Sequence, residues 1–189
     1  MILSAALTVV IVFFPISEIA LATLKRATST TALIEDRASM RLLWVAIALG
    51  VGSAVATQSL RLAPLPGSVG MLRLLALVLM VGGLSIRWAA ILTLGRFFTV
   101  NVATQHQQHV IQTGLYRFVR HPSYAGLLLC FVGLGVYLAS WLSLVVLLIP
   151  ITAAVANRIV KEEAVLLAAL GTPYAEYCAR TKRLIPGLL

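Results

Sequence analysis

From Ile2 to Ala156 the chain alternates between apolar blocks of near bilayer-spanning length and connectors that carry most of its basic residues. That alternation limits the fold more than any motif does. Apolar residues scattered at core spacing build a soluble domain, whereas runs of about 20 are solvated by lipid. With 60% hydrophobic and 11% charged residues, the chain also carries too little charge to cover a soluble surface. The fold class read from this is an all-α polytopic membrane protein with about five transmembrane helices.

The blocks place helices at Ile2 to Leu24, Leu42 to Leu60, Leu72 to Leu94, Tyr124 to Leu138 and Trp141 to Ala156. The last two are short for a bilayer and are separated only by Ala139 and Ser140, so they predict a tight hairpin, with Pro150 kinking its second arm. The first block has no basic residues before it, while Lys25 and Arg26 follow it. It reads as an anchor with its N-terminus outward rather than as a cleaved signal. No linker, repeat or low-complexity tract divides the chain, so 1–189 is read as one domain with three membrane helices over 1–94.

Charge orients the helices. Lys25, Arg26, Arg37 and Arg41 occupy the first connector, and Arg96, Arg117 and Arg120 the third. Arg158, Lys161, Arg180, Lys182 and Arg183 occupy the tail, whereas the second connector and its flanks hold only Arg61 and Arg73. Twelve basic residues against two predict a cytoplasmic first connector, third connector and C-terminus. The formal net charge of +9 is therefore read as topology and attraction to anionic lipid, and nucleic acid is not an expected partner. The polar stretches Gly95 to Ser123 and Asn157 to Leu189 fall on the same side, so chemistry needing several polar groups is expected there. Within the tail, a helix from Arg158 to Leu170 is expected to stop at Gly171, with a second, short one from Tyr174 to Thr181.

Two stretches carry candidate chemistry. The first, Gly114 to Gly126, gathers Tyr116, Arg117, Arg120, His121, Ser123 and Tyr124 around Pro122, which suits a first helical turn. It reads equally as an interfacial belt or as an anion site at a helix start. In the second, Arg158 and Glu162 share one helical face with Glu163 beside them; the spacing suits a surface ion pair or a functional site. Two carboxylates side by side where a helix leaves the bilayer favour function.

Other chemistries fit poorly. His106, His109 and His121 have no carboxylate at metalloprotease spacing, so no metal is expected. Asp36 is the only Asp, no nucleophile elbow is present, and no GxGxxG follows a strand. Cys130 and Cys178 form neither a disulfide framework nor a ligand set. Glu18 and Arg87, inside apolar blocks, are either snorkelling or paired.

The ordered set Gly114-x-Tyr116, Arg120-His121-Pro122-x-Tyr124-x-Gly126, Arg158 with Glu162-Glu163, Gly171-x-x-Tyr174 and Thr181-Lys182-Arg183-Leu184-Ile185-Pro186 resembles the isoprenylcysteine carboxyl methyltransferase family. The likeness covers the last half of the chain, and the helix count is similar to that of small prokaryotic members. It implies a catalytic half over 95–189, a cytoplasmic pocket formed under the C-terminal helices and S-adenosylmethionine as cofactor. By resemblance, Gln108, His109, Val110 and Ile111 line the adenosine, and Tyr116 with His121, Pro122, Ser123 and Tyr124 holds the methionine portion. Asn101 joins them. Glu162, with Glu163 beside it, binds the cofactor, and Arg158 faces the acceptor, making Arg158 and Glu162 the catalytic pair. The chain departs from the family at Gln108 and Leu115, where His and Pro are common. The expected acceptor is lipophilic, prenylated or not, and its carboxylate suits a forked Arg158. The remaining readings are a phospholipid-type methyltransferase, an NADPH-dependent sterol reductase with a similar Arg-His-Pro-x-Tyr-x-Gly tail, and a non-enzymatic transporter or scaffold.

Overall fold

The computed structural model describes residues 2–24, 32–36, 38–60, 62–98, 102–105 and 109–187. It is almost wholly helical: α1 (Ile2–Leu24), α2 (Ala38–Gln58), α3 (Val69–Leu94), α4 (Pro122–Tyr137), α5 (Trp141–Leu170) and α6 (Thr172–Arg180). The exception is a short antiparallel ribbon of β1 (Ala32–Asp36) and β2 (Val102–Gln105). Because β1 lies in the first connector and β2 in the third, their pairing sets both at one end of the bundle. The tail joins them there, through amides of Arg120 and His121 donating to carbonyls of Lys182 and Arg183 at 2.8 and 2.9 Å.

Four helices, α1, α2, α3 and α5, are long and apolar enough to cross a membrane, and α4 is a shorter apolar helix of 16 residues. The protein is an integral, multi-pass membrane protein. One expectation is corrected. The fifth membrane helix and the first tail helix are a single α5 of 30 residues, about 45 Å long at 1.5 Å per residue. The change from apolar to polar residues after Ala156 alters the solvent around the helix, not the helix itself. No breaker occurs until Gly171, whose φ of 60° ends α5, and Pro150 is held within the helix.

The hairpin forms as expected. Ala139 takes a φ of 54°, and Ser140 caps α5 by accepting from the Ser143 amide at 3.3 Å. The second connector closes over this turn: the Ser140 hydroxyl donates to the Leu62 carbonyl at 2.9 Å, and the Leu65 amide to that of Ala139 at 2.9 Å.

Packing is closest between α3 and α4. A Cβ on Gly126 would lie 2.5 Å from the Gly83 carbonyl oxygen and 2.6 Å from the Arg87 nitrogen, and one on Gly83 would lie 2.7 Å from the Gly126 oxygen. Where lipid supplies no hydrophobic drive between helices, such small residues let backbones approach and gain dispersion contact. This contact sets Arg87 against the first turns of α4. Helices α2 and α5 form the other close pair, with Ala54, Leu147, Ile151 and Val155 fully enclosed between the layers.

Candidate active site

Pro122 starts α4 where its missing N–H is not needed, and the turns around it aim His121, Ser123 and Tyr124 inward. On α5, Arg158 and Glu162 are one turn apart. Their connection runs through a third residue: the Tyr124 hydroxyl donates to Glu162 Oε2 at 2.7 Å and accepts from Arg158 Nε at 2.7 Å. Arg158 also donates from Nη1 to the Ser39 hydroxyl of α2 at 3.1 Å. With Arg158 only 2% exposed, the surface ion-pair reading is excluded. The guanidinium is instead locked in a fixed orientation between α2, α4 and α5.

Glu163, one residue on, points elsewhere. Its Oε1 accepts from Arg120 Nε at 2.8 Å and lies 3.3 Å from His121 Nε2. Its Oε2 accepts from Arg183 at 2.9 and 2.7 Å. Arg120 further donates to the carbonyls of Cys178 and Thr181. One carboxylate thus ties the third connector, α5 and the tail together. The tail's second tie is the Tyr177 hydroxyl, which donates to the Tyr116 carbonyl at 2.7 Å. Burial pushes that hydroxyl up to about 12, so it stays a donor at neutral pH. The Tyr116 hydroxyl is also raised, first by burial and then by the charge of Glu162.

These groups border a cavity of about 530 Å³. Of the residues singled out from the sequence, His109, Val110, Ile111, Tyr116, His121, Ser123, Tyr124, Arg158 and Glu162 line it, while Pro122 and Glu163 are not among the lining side chains. Asn101 and Gln108 lie outside the described residues. His109 meets Phe97 edge-on, with ring centroids 5.1 Å apart. Among the described residues, no group of three His, Cys, Asp or Glu side chains is placed to hold a metal ion.

Sequence reasoning missed three parts of the site. From its polar end the cavity runs down an apolar wall supplied by α2 (Leu43, Trp44, Ile47, Val51, Val55), α1 (Ile11, Phe14) and α4 (Leu127, Phe131, Leu134). The positions from Met40 to Gln58 on α2 that face it span about 27 Å. Helices without any motif therefore build much of the chamber's apolar wall. Second, Glu18 and Arg87 both line the cavity and pair with each other; ionisable residues inside apolar blocks were the available signal. Third, Tyr174 of α6 lines the polar end, its hydroxyl buried and without a hydrogen-bond partner within reach among the described residues.

A family model described as the isoprenylcysteine carboxyl methyltransferase (ICMT) family matches residues 74–168. The chain belongs to that family. Protein-S-isoprenylcysteine O-methyltransferase A of Arabidopsis thaliana is 36% identical over 112 residues, covering 58% of this chain and 57% of the plant protein. The fission yeast protein-S-isoprenylcysteine O-methyltransferase is 30% identical over 106 residues, covering 55% and 45%. The chain thus spans about half the length of these relatives, which are eukaryotic rather than the small prokaryotic members that the helix count suggested. Among solved structures, the eukaryotic intramembrane Ras methyltransferase ICMT matches with a TM-score of 0.60 at 21% identity, over 82% of this chain and 55% of that one. At that identity the likeness is one of fold. That likeness in fold reaches beyond the segment matched by the family model, over 82% of the chain.

Proposed function

We propose that this ICMT-family chain is an S-adenosylmethionine-dependent carboxyl methyltransferase acting on a lipophilic, isoprenylated acceptor at the cytoplasmic membrane face. The observation that carries this reading is the single cavity in which a polar end, built around Glu162 and Tyr124, continues into an apolar wall, with buried Arg158 among its lining residues. A charged donor and a greasy acceptor need that combination of surfaces. The donor set suits the cofactor: a carboxylate at Glu162, the buried orphan hydroxyl of Tyr174, and the His109, Val110 and Ile111 segment beside Phe97. Residues 95–189 supply most of the polar end, and α1–α3 complete the chamber.

Bound S-adenosylmethionine supplies a methyl group that is already electrophilic, so the protein's task is positioning. Glu162 and the Tyr116 to Tyr124 segment hold the donor, while Arg158 faces the acceptor carboxylate and aligns it. The Tyr124 hydroxyl, bonded to both Glu162 and Arg158, fixes the spacing between the two halves of the reaction. Glu163 acts one step away by clamping the tail over the cavity. The apolar wall takes the acceptor's hydrocarbon.

In detergent, the purified chain should bind S-adenosylmethionine by calorimetry without added metal and transfer labelled methyl to a prenylated cysteine bearing a free carboxylate. Absence of binding by folded protein would sink the reading. Methylation confined to phospholipid amines would overturn the acceptor while keeping the cofactor.

The orientation is part of the proposal. In a Cys178→Ser background, a cysteine at Ser68 should react with an impermeant reagent on sealed cells, whereas one at Thr113 should not. The reverse pattern would invert the chain and move the site to the opposite membrane face.

A further inference from the structure

On the strength of the methyl-donor reading above, we propose that Glu18 and Arg87 are the charge balance of the cavity. Glu18 is a positioning residue that cancels the Arg87 cation, so that a sulfonium is admitted beside it. The two residues come from α1 and α3, and both line the chamber. The carboxylate is held by two donors of the guanidinium, Nε to Oε1 and Nη2 to Oε2. The remaining nitrogen, Nη1, donates to the Ser123 carbonyl at 3.2 Å and to its hydroxyl at 2.9 Å. Arg87 is therefore fixed on the turn that carries His121 and Tyr124, with 7% of its surface exposed.

A purely structural strut does not need this chemistry. A buried Arg87 and a largely enclosed Glu18 each lose hydration, and well-packed apolar side chains would join the helices at least as well. Arg87 has a further contact to hold, on Ser123 at the start of α4, so its charge stays in the chamber and has to be answered there. Two other cations of the wall have a carboxylate near them: Arg158 is joined to Glu162 through Tyr124, and Arg120 meets Glu163 just outside the lining. Glu18 answers Arg87 in the same way. Without Glu18, that cation would act on a bound donor through a low-dielectric wall. The methyl donor carries a sulfonium, whereas its demethylated product is a neutral thioether, so an unbalanced Arg87 should penalise the first and largely spare the second.

The test compares calorimetric affinities of the full chain, in detergent, for S-adenosylmethionine and S-adenosylhomocysteine. Glu18→Gln should weaken the sulfonium form about tenfold or more and the thioether less than about threefold. The Glu18→Gln/Arg87→Gln double variant, with neither charge, should return the ratio of the two affinities to that of the unaltered chain. Equal weakening of both nucleosides in folded Glu18→Gln would overturn the proposal and leave the pair as a helix tie. Should Glu18→Gln not fold, Glu18→Ala carries the same expectation. Should neither single variant fold, a shifted ratio in the double variant overturns it. If the unaltered chain binds neither nucleoside, the proposed function has failed instead, whatever the variants do.

Discussion

Glu163→Gln is expected to undock the tail and lower the thermal midpoint of the purified protein sharply, although its carboxylate is not among the groups lining the cavity. The side chain holds Arg120 and His121, which are 10% and 4% exposed, and Arg183, which is 51% exposed. The Arg183 contact is screened by solvent and contributes little. The Arg120 contact is different, because removing one partner leaves a buried guanidinium uncompensated, a loss of about 3–5 kcal/mol. Limited trypsin digestion should then cut at Arg180, Lys182 and Arg183 far sooner than in the unaltered chain. Cofactor affinity should fall with it, since α6 carries Tyr174 and Tyr177. An unchanged midpoint together with an unchanged digestion pattern would refute the clamp.

The opposite signature is expected one residue away. Glu162→Gln keeps the acceptor oxygen for Tyr124 and touches none of the tail contacts, so the digestion pattern should hold while affinity for S-adenosylmethionine drops by about 1.5–3 kcal/mol, the value of a lost charged hydrogen bond. Arg158→Lys should leave that affinity in place and lower methyl transfer by about a hundredfold, because an ammonium cannot keep both the Tyr124 and Ser39 contacts and still offer a planar fork. Single-turnover rates with saturating cofactor separate the two effects. Loss of binding in Arg158→Lys, or full activity in Glu162→Gln, would reverse the assigned roles.

How far the sequence was legible follows the physics of each feature. The five apolar blocks and the shared end of the first connector, third connector and tail were readable because apolar run length and basic asymmetry are local signals. The fusion of two expected helices into α5 was not, since a polarity change resembles a boundary when no backbone breaker marks it. At the site, Tyr124, Arg158 and Glu162 were readable from residue type and from resemblance. Their connection through one hydroxyl was not, because it depends on which face of α4 meets α5. The motif pair Glu162 and Glu163 looked like one unit; a 100° step around the helix sends the first into the cavity and the second to the tail. The α1 and α2 wall left no mark at all, as any apolar residue of suitable size serves there.

The unbroken course of α5 has a further consequence, for how the chain tolerates change in length. Ser140 is fixed against the Leu62 carbonyl at one end of the bundle, and Arg158 is fixed to Tyr124 and Ser39 near the other. A residue added or lost between them would rotate the far part of the helix by about 100° and shift it about 1.5 Å, carrying the guanidinium out of the chamber. Descendants of this chain are therefore not free to change length between Ser140 and Arg158. The depth at which it works in the bilayer is written as a residue count along one helix.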